Sequence, residues 1–155
     1  MRRGNDAPEP VLPAGLTTAV HVRDQRAFDQ RTLTVERSGK GAWTVNGAPA
    51  KGLKGCTDID LGCSPSTNTL PIRRLRLAIG AASTIQAAWV RFPALDVIKA
   101  AQTYTRLDEY TYRYASGDFE AELTVDDDGL VASYAEWQRT GMAFGPEGLE
   151  PLDSH

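Results

Sequence analysis

The sequence predicts an all-β protein, a roll, barrel or sandwich of about eight to ten short, mainly antiparallel strands with at most one small helix. Apolar and polar residues alternate with a period of two through most of residues 16–140, as they do in half-buried strands. Glycine, proline and asparagine interrupt these runs where hairpin turns would fall. A helical spacing of apolar residues competes with the strand pattern at one segment, residues 94–100.

The first elements follow a leader, residues 1–15, which contains three of the nine prolines and no apolar period. We expect this leader to be disordered or loosely packed. The run QRTLTVER then places Leu33 and Val35 opposite its polar residues, which predicts a strand. The run AWTVNG predicts a short strand that ends in a turn.

The middle of the chain predicts three strands and one helical turn. CTDIDL forms the first strand, and RLRLAIG, in which apolar residues alternate with arginines, forms the second. STIQAAWVRFP predicts the third, with Ile85, Ala87 and Trp89 on one face. Residues 94–100 predict a short helix or helical turn, which a strand over the β-branched and aromatic QTYTRL follows.

The last third of the sequence predicts further strands and a hairpin. EYTYRY places Tyr110, Tyr112 and Tyr114 on one face of a strand. DFEAELTV separates its apolar residues from its glutamates in the same way, and the acidic turn DDDG connects it to LVASY. Residues 141–155 are predicted to be a loose acidic tail.

Composition limits the class of protein. The 155 residues suggest one domain, which we place at residues 16–140, and a net charge of −3 argues against a nucleic-acid partner. No apolar run approaches the roughly 20 residues of a membrane span, and the start MRRGNDAPEP lacks the apolar core of a signal peptide. We therefore expect a cytoplasmic protein without a transmembrane segment, in which Cys56 and Cys63 are free thiols.

The common catalytic and cofactor motifs are absent from the sequence. It has no phosphate loop, no dinucleotide-binding fingerprint and no nucleophile elbow. Its two histidines are His21 and His155, and no histidine or cysteine cluster has zinc spacing. TVDDDGLV lacks the later bidentate glutamate of an EF-hand and is typical of an acidic hairpin turn. We therefore expect no metal, no cofactor and no catalytic residue.

Charged residues and turn-forming residues are densest in the segment GCTDIDLGCSPSTNTLPIRRLRL, residues 55–77. On a strand, Asp58 and Asp60 share one face with Cα atoms roughly 6.5–7 Å apart. Two carboxylates at such a spacing can serve as general acid and base, so a hydrolase of a glycolipid or sugar ester is one alternative. Otherwise the two acids face solvent or pair with arginines.

A polar loop, CSPSTNTLP, follows the two aspartates. Its hydroxyls and Asn68 can bond to their own backbone and hold a turn, or can present polar groups to a sugar or head group. In PIRRLRL, where we predict that a strand begins, Arg73 shares a face with Leu75 and Leu77 and therefore requires a partner. That partner is Asp58 or Asp60, or an anionic ligand group, to which an arginine donates two parallel hydrogen bonds.

The aromatic residues have two interpretations. They fill the core, or they line a cavity, because a β-roll with apolar walls and a few polar groups makes a natural ligand pocket. A filled interior without a ligand would instead make the protein an interaction module with an exposed apolar patch or edge strand. The residues concerned are Trp89, Phe92, Tyr104, Tyr110, Tyr112 and Tyr114.

Several blocks of the sequence together resemble a known family. They are GCTDIDLGCSPSTNTLPIRRLRL, AAWVRFPALDV, AQTYTRL, YRYASGDFEAELTVDDDGLVASY and WQR. They resemble the bacterial "putative glycolipid-binding" family, formerly a domain of unknown function, and the resemblance runs from about residue 29 to residue 140. The first block is long and specific.

The resemblance implies a spiral β-roll, shaped like a half-barrel, with a single helix. It is similar in shape to lipoprotein-carrier folds that cradle lipid chains, and glycolipid binding is inferred for the family from that shape. No catalytic residue is established for the family, and no role is assigned to the matching positions. These positions are Asp58, Asp60, Asn68, Arg73 and Arg74 in the signature, and Gln102, Tyr104 and Tyr114 in the later motifs.

From the resemblance and the residues together we expect a glycolipid- or lipid-binding protein that is not an enzyme. The two signature arginines hold an anionic or sugar head group, helped by Asn68. The two aspartates orient those arginines or accept sugar hydroxyls. Four aromatic residues, Trp89, Tyr104, Tyr112 and Tyr114, stack on sugar or line the cavity for the chain.

The resemblance also implies several more strands before RTLTVER. Here the proline-rich leader and LTTAVHVRDQRAF precede that run, which predicts a shortened member or a misplaced gene start. An unpaired strand edge would then be exposed, and it would favour a homodimer through strand pairing.

Overall fold

Two β-sheets, one of four strands and one of seven, make up the described part of the chain. The structure, a computed structural model, describes residues 16–24 and 30–135 together with the backbone of residues 137–138. The predicted leader, residues 1–15, and the predicted tail, residues 141–155, lie outside the described residues.

The smaller sheet is an antiparallel meander in which consecutive strands pair. The segment LTTAVHVRD, for which the period predicted no separate element, supplies its first strand. The turn after AWTVNG is confirmed, since Asn46 and Gly47 both have the positive φ that a two-residue hairpin turn requires. The strands are β1 (Ala19–Asp24), β2 (Arg31–Arg37), β3 (Trp43–Val45) and β4 (Ala48–Pro49).

The larger sheet is curled into a half-barrel. Its strands follow one another antiparallel in chain order, except that its first strand lies parallel to the second. The strands are β5 (Asp58–Leu61), β6 (Ala82–Arg91), β7 (Asp96–Arg106), β8 (Thr111–Ser116), β9 (Phe119–Val125), β10 (Val131–Tyr134) and β11 (Trp137–Gln138).

The predicted fold class is confirmed: the described residues are mainly antiparallel β-structure with a single short α-helix. The hairpin across DDDG is also confirmed, because β9 pairs antiparallel with β10. The eleven strands of the described part exceed the predicted eight to ten. No helix in that part is long and apolar enough to cross a bilayer.

The strand predicted over PIRRLRL and RLRLAIG is wrong, because α1 occupies Thr69–Leu75 and residues 76–80 form no strand. Pro71 falls in the first helical turn, where its missing N–H costs nothing. Ile72 and Leu75 are three residues apart, so they share a helix face and pack into the core. The helix ends at Arg76, which adopts a left-handed conformation with φ 47°. Leucines and arginines that alternate over so short a run fit a helix as well as a strand.

The helical turn predicted at residues 94–100 is wrong as well. A tight turn with Leu95 at φ 57° separates β6 from β7, and β7 begins at Asp96. The two long strands pair continuously from Ala82 with Thr105 to Arg91 with Asp96. The backbone hydrogen bonds of this pairing stabilise the strand more than a helical turn, which a few apolar side chains alone would favour, could be stabilised.

Strand β6 divides the interior into two cores. On one side Ala88 and Val90 pack with the smaller sheet, including Val35 and Trp43. On the other side Ile85 packs with α1 and with side chains of strands β7 to β10. That second core holds Ile72, Tyr104, Tyr112, Tyr114, Leu123, Val125 and Val131.

Candidate functional site

A cavity of about 410 Å³ lies where β5 ends, against strands β6, β8, β9 and β10. The loop that connects β5 to α1 forms one wall, and the tyrosine and phenylalanine rings of the half-barrel form the other. The lining residues are Asp60, Leu61, Gly62, Cys63, Ser64, Pro65, Asn68, Trp89, Tyr114, Ser116, Phe119 and Tyr134.

Three aromatic rings from successive strands form the half-barrel wall. Tyr114 on β8 lies with its ring centroid 6.2 Å from that of Phe119 on β9 and 6.2 Å from that of Tyr134 on β10. Tyr114 is buried and Tyr134 is partly buried, whereas Phe119 is 50% exposed. The two tyrosines therefore form an aromatic surface that is shielded from solvent, and Phe119 extends this surface to the exterior of the protein.

A fourth aromatic residue, Trp89, faces the cavity from β6, where it is in register with Asp60. Gly62 lies tightly against it. A Cβ atom on Gly62 would come within 2.8 Å of the Trp89 indole nitrogen and 2.9 Å of the Val90 carbonyl oxygen. Glycine at this position therefore allows the loop to pass close to the indole ring.

Asp60 is the charged residue of the cavity lining. Its carboxylate accepts hydrogen bonds from Gln102 Nε2 at 2.6 Å, Thr67 Oγ1 at 3.3 Å and Tyr114 Oη at 3.4 Å. Burial raises the pKa of Asp60, and these three donors offset part of that rise. Its hydrogen-bond donors are all neutral groups, so its negative charge is not cancelled by them.

Asn68 supplies an amide to the same cavity. It is 4% exposed and directly precedes α1, yet its side chain makes no capping hydrogen bond to that helix. Upstream, Ser64 caps the preceding 3-10 turn by accepting a hydrogen bond from the Ser66 N–H. The asparagine amide is therefore free of the capping role that its position suggests.

Asp58 and Arg74 form an ion pair outside the cavity lining. An Arg74 Nη2 donates to Asp58 Oδ2, and the Thr57 hydroxyl donates to the same oxygen at 2.6 Å. Asp58 is the predicted partner of an arginine, but that arginine is Arg74 and not Arg73, because the helix, unlike the predicted strand, turns Arg74 toward β5. The second Asp58 oxygen and Arg74 Nε are buried with no hydrogen-bond partner among the described residues.

Arg73 lies in a different place. It is exposed and lines a second cavity of about 380 Å³ between α1 and the turns after β7 and β9, with Arg76, Arg106 and three consecutive aspartates, Asp126, Asp127 and Asp128. The guanidinium of Arg106 already donates to three backbone carbonyls. The two signature arginines thus do not converge on one site.

The other predicted residues stand behind the cavity. Gln102 is 2% exposed and positions the Asp60 carboxylate. Tyr104 is fully buried, and its ring meets the Tyr114 ring edge-on at 5.4 Å. Burial raises the pKa of Tyr104, and its hydroxyl has no hydrogen-bond partner among the described residues. Tyr112 lies in the core beneath the Arg106 guanidinium.

Two of the four aromatic residues that line the cavity, Phe119 and Tyr134, were not named from the sequence as site candidates. The hairpin offered a signal for one of them. Tyr134 pairs with Leu123 across β9 and β10, so a hairpin register would have placed it on the apolar face. Nothing in the sequence distinguishes Phe119, at the edge of that face, from an ordinary core residue.

Among the described residues, no group of three or more potential metal ligands comes together. Both cysteines, the buried Cys56 and the exposed Cys63, are free thiols, as predicted.

The chain is similar to proteins of one family. A family profile described as "Putative glycolipid-binding" matches residues 11–139. A solved structure, the crystal structure of a DUF1089 family protein from Pseudomonas aeruginosa, is 37% identical and superposes with a TM-score of 0.74. The match covers 81% of this chain and 71% of that chain. No curated protein matches the chain.

Proposed function

The chain belongs to the "putative glycolipid-binding" family, and we propose that it binds the head group of a glycolipid or related amphiphile in the cavity at the end of β5. We call this cavity the head-group cavity. The observation that carries this proposal is the meeting of four aromatic rings with one carboxylate and one amide in a single cavity. Ligand pockets are mostly apolar and have a few placed polar groups.

The two kinds of side chain suit the two sides of a sugar ring. The C–H face of a sugar packs on the aromatic wall of Tyr114, Phe119 and Tyr134. Its hydroxyls then meet the carboxylate of Asp60, which accepts hydrogen bonds, and the amide of Asn68, which both donates and accepts them.

The volume favours a head group over whole lipid chains. About 410 Å³ lies near the lower end of the 300–1,000 Å³ that is typical of ligand pockets. Phe119 is half-exposed beside the cavity, and it offers an apolar path by which an acyl chain would leave. We propose binding with the chain partly outside the cavity.

A binding role fits the two aspartates better than a catalytic one. Glycoside hydrolysis uses two carboxylates that flank the scissile bond. Asp60 lines the cavity, but Asp58 does not, and it is held by Arg74 and Thr57. The interaction-module alternative expects a filled interior, and the cavity gives it no support. A cytoplasmic location and a homodimer through a strand edge remain predictions.

The proposal is tested by calorimetric titration of the protein with octyl glucoside below its micelle concentration. We expect saturable binding with one site per chain. Phe119→Ala should weaken this binding several-fold. Ile79→Ala, which removes another exposed apolar side chain away from the cavity, should leave it unchanged. Equal affinities for wild type and both variants would place the ligand elsewhere.

A further inference from the structure

We propose that the head-group cavity selects an amphiphile whose head group carries an ammonium, over one with a neutral or anionic head group. This inference rests on the proposed function, since it names the ligand class of the same cavity.

The first step is the charge of the lining. Asp60 is the only ionic side chain among the described residues that line the cavity; none of them is lysine, arginine or histidine. Of the two signature arginines, Arg74 is held by Asp58, and Arg73 lines the other cavity. A phosphate or carboxylate head group would meet an uncompensated negative charge there, which is costly in a partly buried site.

The second step is the state of the Asp60 carboxylate. It is partly buried, and its donors, Gln102, Thr67 and Tyr114, bring no positive charge. A carboxylate has about four lone-pair sites. Three of them are used at most, and the Thr67 and Tyr114 contacts are long. An ammonium that donates to Asp60 would therefore make a charge-assisted hydrogen bond and neutralise a desolvated charge.

The third step is the ring surface around that carboxylate. Trp89, Tyr114, Phe119 and Tyr134 all line the same cavity. The faces of aromatic rings attract cations, and tryptophan does so best. Aromatic walls with one carboxylate between them are the combination that recognises an amine, whereas an anion finds no attraction in either component.

The inference is tested with four probes that share one octyl chain: octyl glucosaminide, octyl glucoside, octyl glucuronide and octylammonium. Titrations are made at low salt and at a pH where the amines are protonated. We expect the glucosaminide to bind at least about tenfold more tightly than the glucoside, because a hydrogen bond to a charged group is stronger than a neutral one. The glucuronide should bind most weakly.

Two variants assign the preference to one carboxylate. Asp60→Asn should remove the glucosaminide preference while it preserves the shape of the side chain. Asp118→Asn, which removes an exposed charge at the turn between β8 and β9, should preserve the preference. The wild-type series is decisive by itself if Asp60→Asn does not fold.

The outcomes separate the two proposals. Equal binding of glucosaminide and glucoside by wild type, or a preference that survives in folded Asp60→Asn, overturns the ammonium inference and leaves the proposed function standing. Absence of binding by every glycoside overturns the proposed function. Octylammonium that binds as tightly as the glucosaminide supports the inference and assigns the preference to the amine rather than to an amino sugar.

Discussion

Replacement of Arg74 by methionine should destabilise the fold, because it leaves the Asp58 carboxylate buried without a counter-charge. The Asp58 side chain is 3% exposed and the Arg74 side chain is 22% exposed. Removal of one partner from a buried ion pair costs about 3–5 kcal/mol. Water reaches Arg74, and the Thr57 hydroxyl still donates to Asp58, so we expect the lower end, about 3 kcal/mol.

Urea and thermal unfolding of wild type and variant measure this loss. For a domain of this length, 1 kcal/mol shifts the melting temperature by roughly 2–4 °C, so we expect a fall of roughly 6–12 °C. The double variant Asp58→Asn with Arg74→Met removes both charges. It should recover a large part of the loss, because the uncompensated charge, and not the missing contact, dominates it.

The control is Arg73→Met on the same helix, which removes an exposed guanidinium. It should change the stability by less than about 0.5 kcal/mol. A loss below about 1 kcal/mol in Arg74→Met, or a double variant no more stable than the single one, would refute a buried structural pair. It would also reopen a ligand-binding role for Arg74.

Three further outcomes are expected. Burial holds the pKa of Asp60 in the folded protein above its value in the unfolded chain, so protonation of Asp60 stabilises the fold. This stabilisation is fully present below the unfolded pKa and is lost as the pH rises through the folded pKa. Asp60→Asn should therefore be more stable than wild type in urea melts at pH 7, and this gain should be absent below the unfolded carboxyl pKa of about 3.9. A gain in stability that persists below that pH would contradict the prediction. Gly62→Ala should cost about 1–3 kcal/mol and shift tryptophan fluorescence, because its Cβ would press on Trp89 and the Val90 carbonyl, whereas Gly52→Ala, with nothing within 4 Å, should do neither. Arg73→Met should leave octyl glucoside affinity unchanged in calorimetry, and a several-fold loss would place the head group near α1.

The strands could be predicted from the sequence where one face is buried. The glutamates of β9 are exposed and Leu123 and Val125 are buried, as the alternation in DFEAELTV predicts. Asp58 and Asp60 lie on one strand, β5, as predicted, although both faces of that strand contribute buried residues, Asp58 and Ile59. Pattern alone could not separate α1 from a strand, because seven residues span only two helical turns and Leu75 satisfies both periods.

The candidate site could be predicted only in part. The dense segment contributes Asp60 and Asn68 to the cavity, and the aromatic runs contribute Trp89 and Tyr114. The pairing of arginines could not be predicted, since the helix decides which guanidinium faces β5. Phe119 shares a face of the sheet with Tyr114 through the β8–β9 register, but the loop after β5, which is distant in the sequence, decides which part of that face borders a cavity.

Native mass spectrometry tests the central claim most directly. The protein would be purified from the cells that naturally produce it, and whatever co-purifies would be extracted into organic solvent and identified. We predict one amphiphile per chain with a sugar or amine head group, present on Ile79→Ala and depleted on Phe119→Ala. A clean mass of the protein alone, in a preparation that also fails to bind any octyl glycoside, would contradict the claim that the head-group cavity is a ligand site.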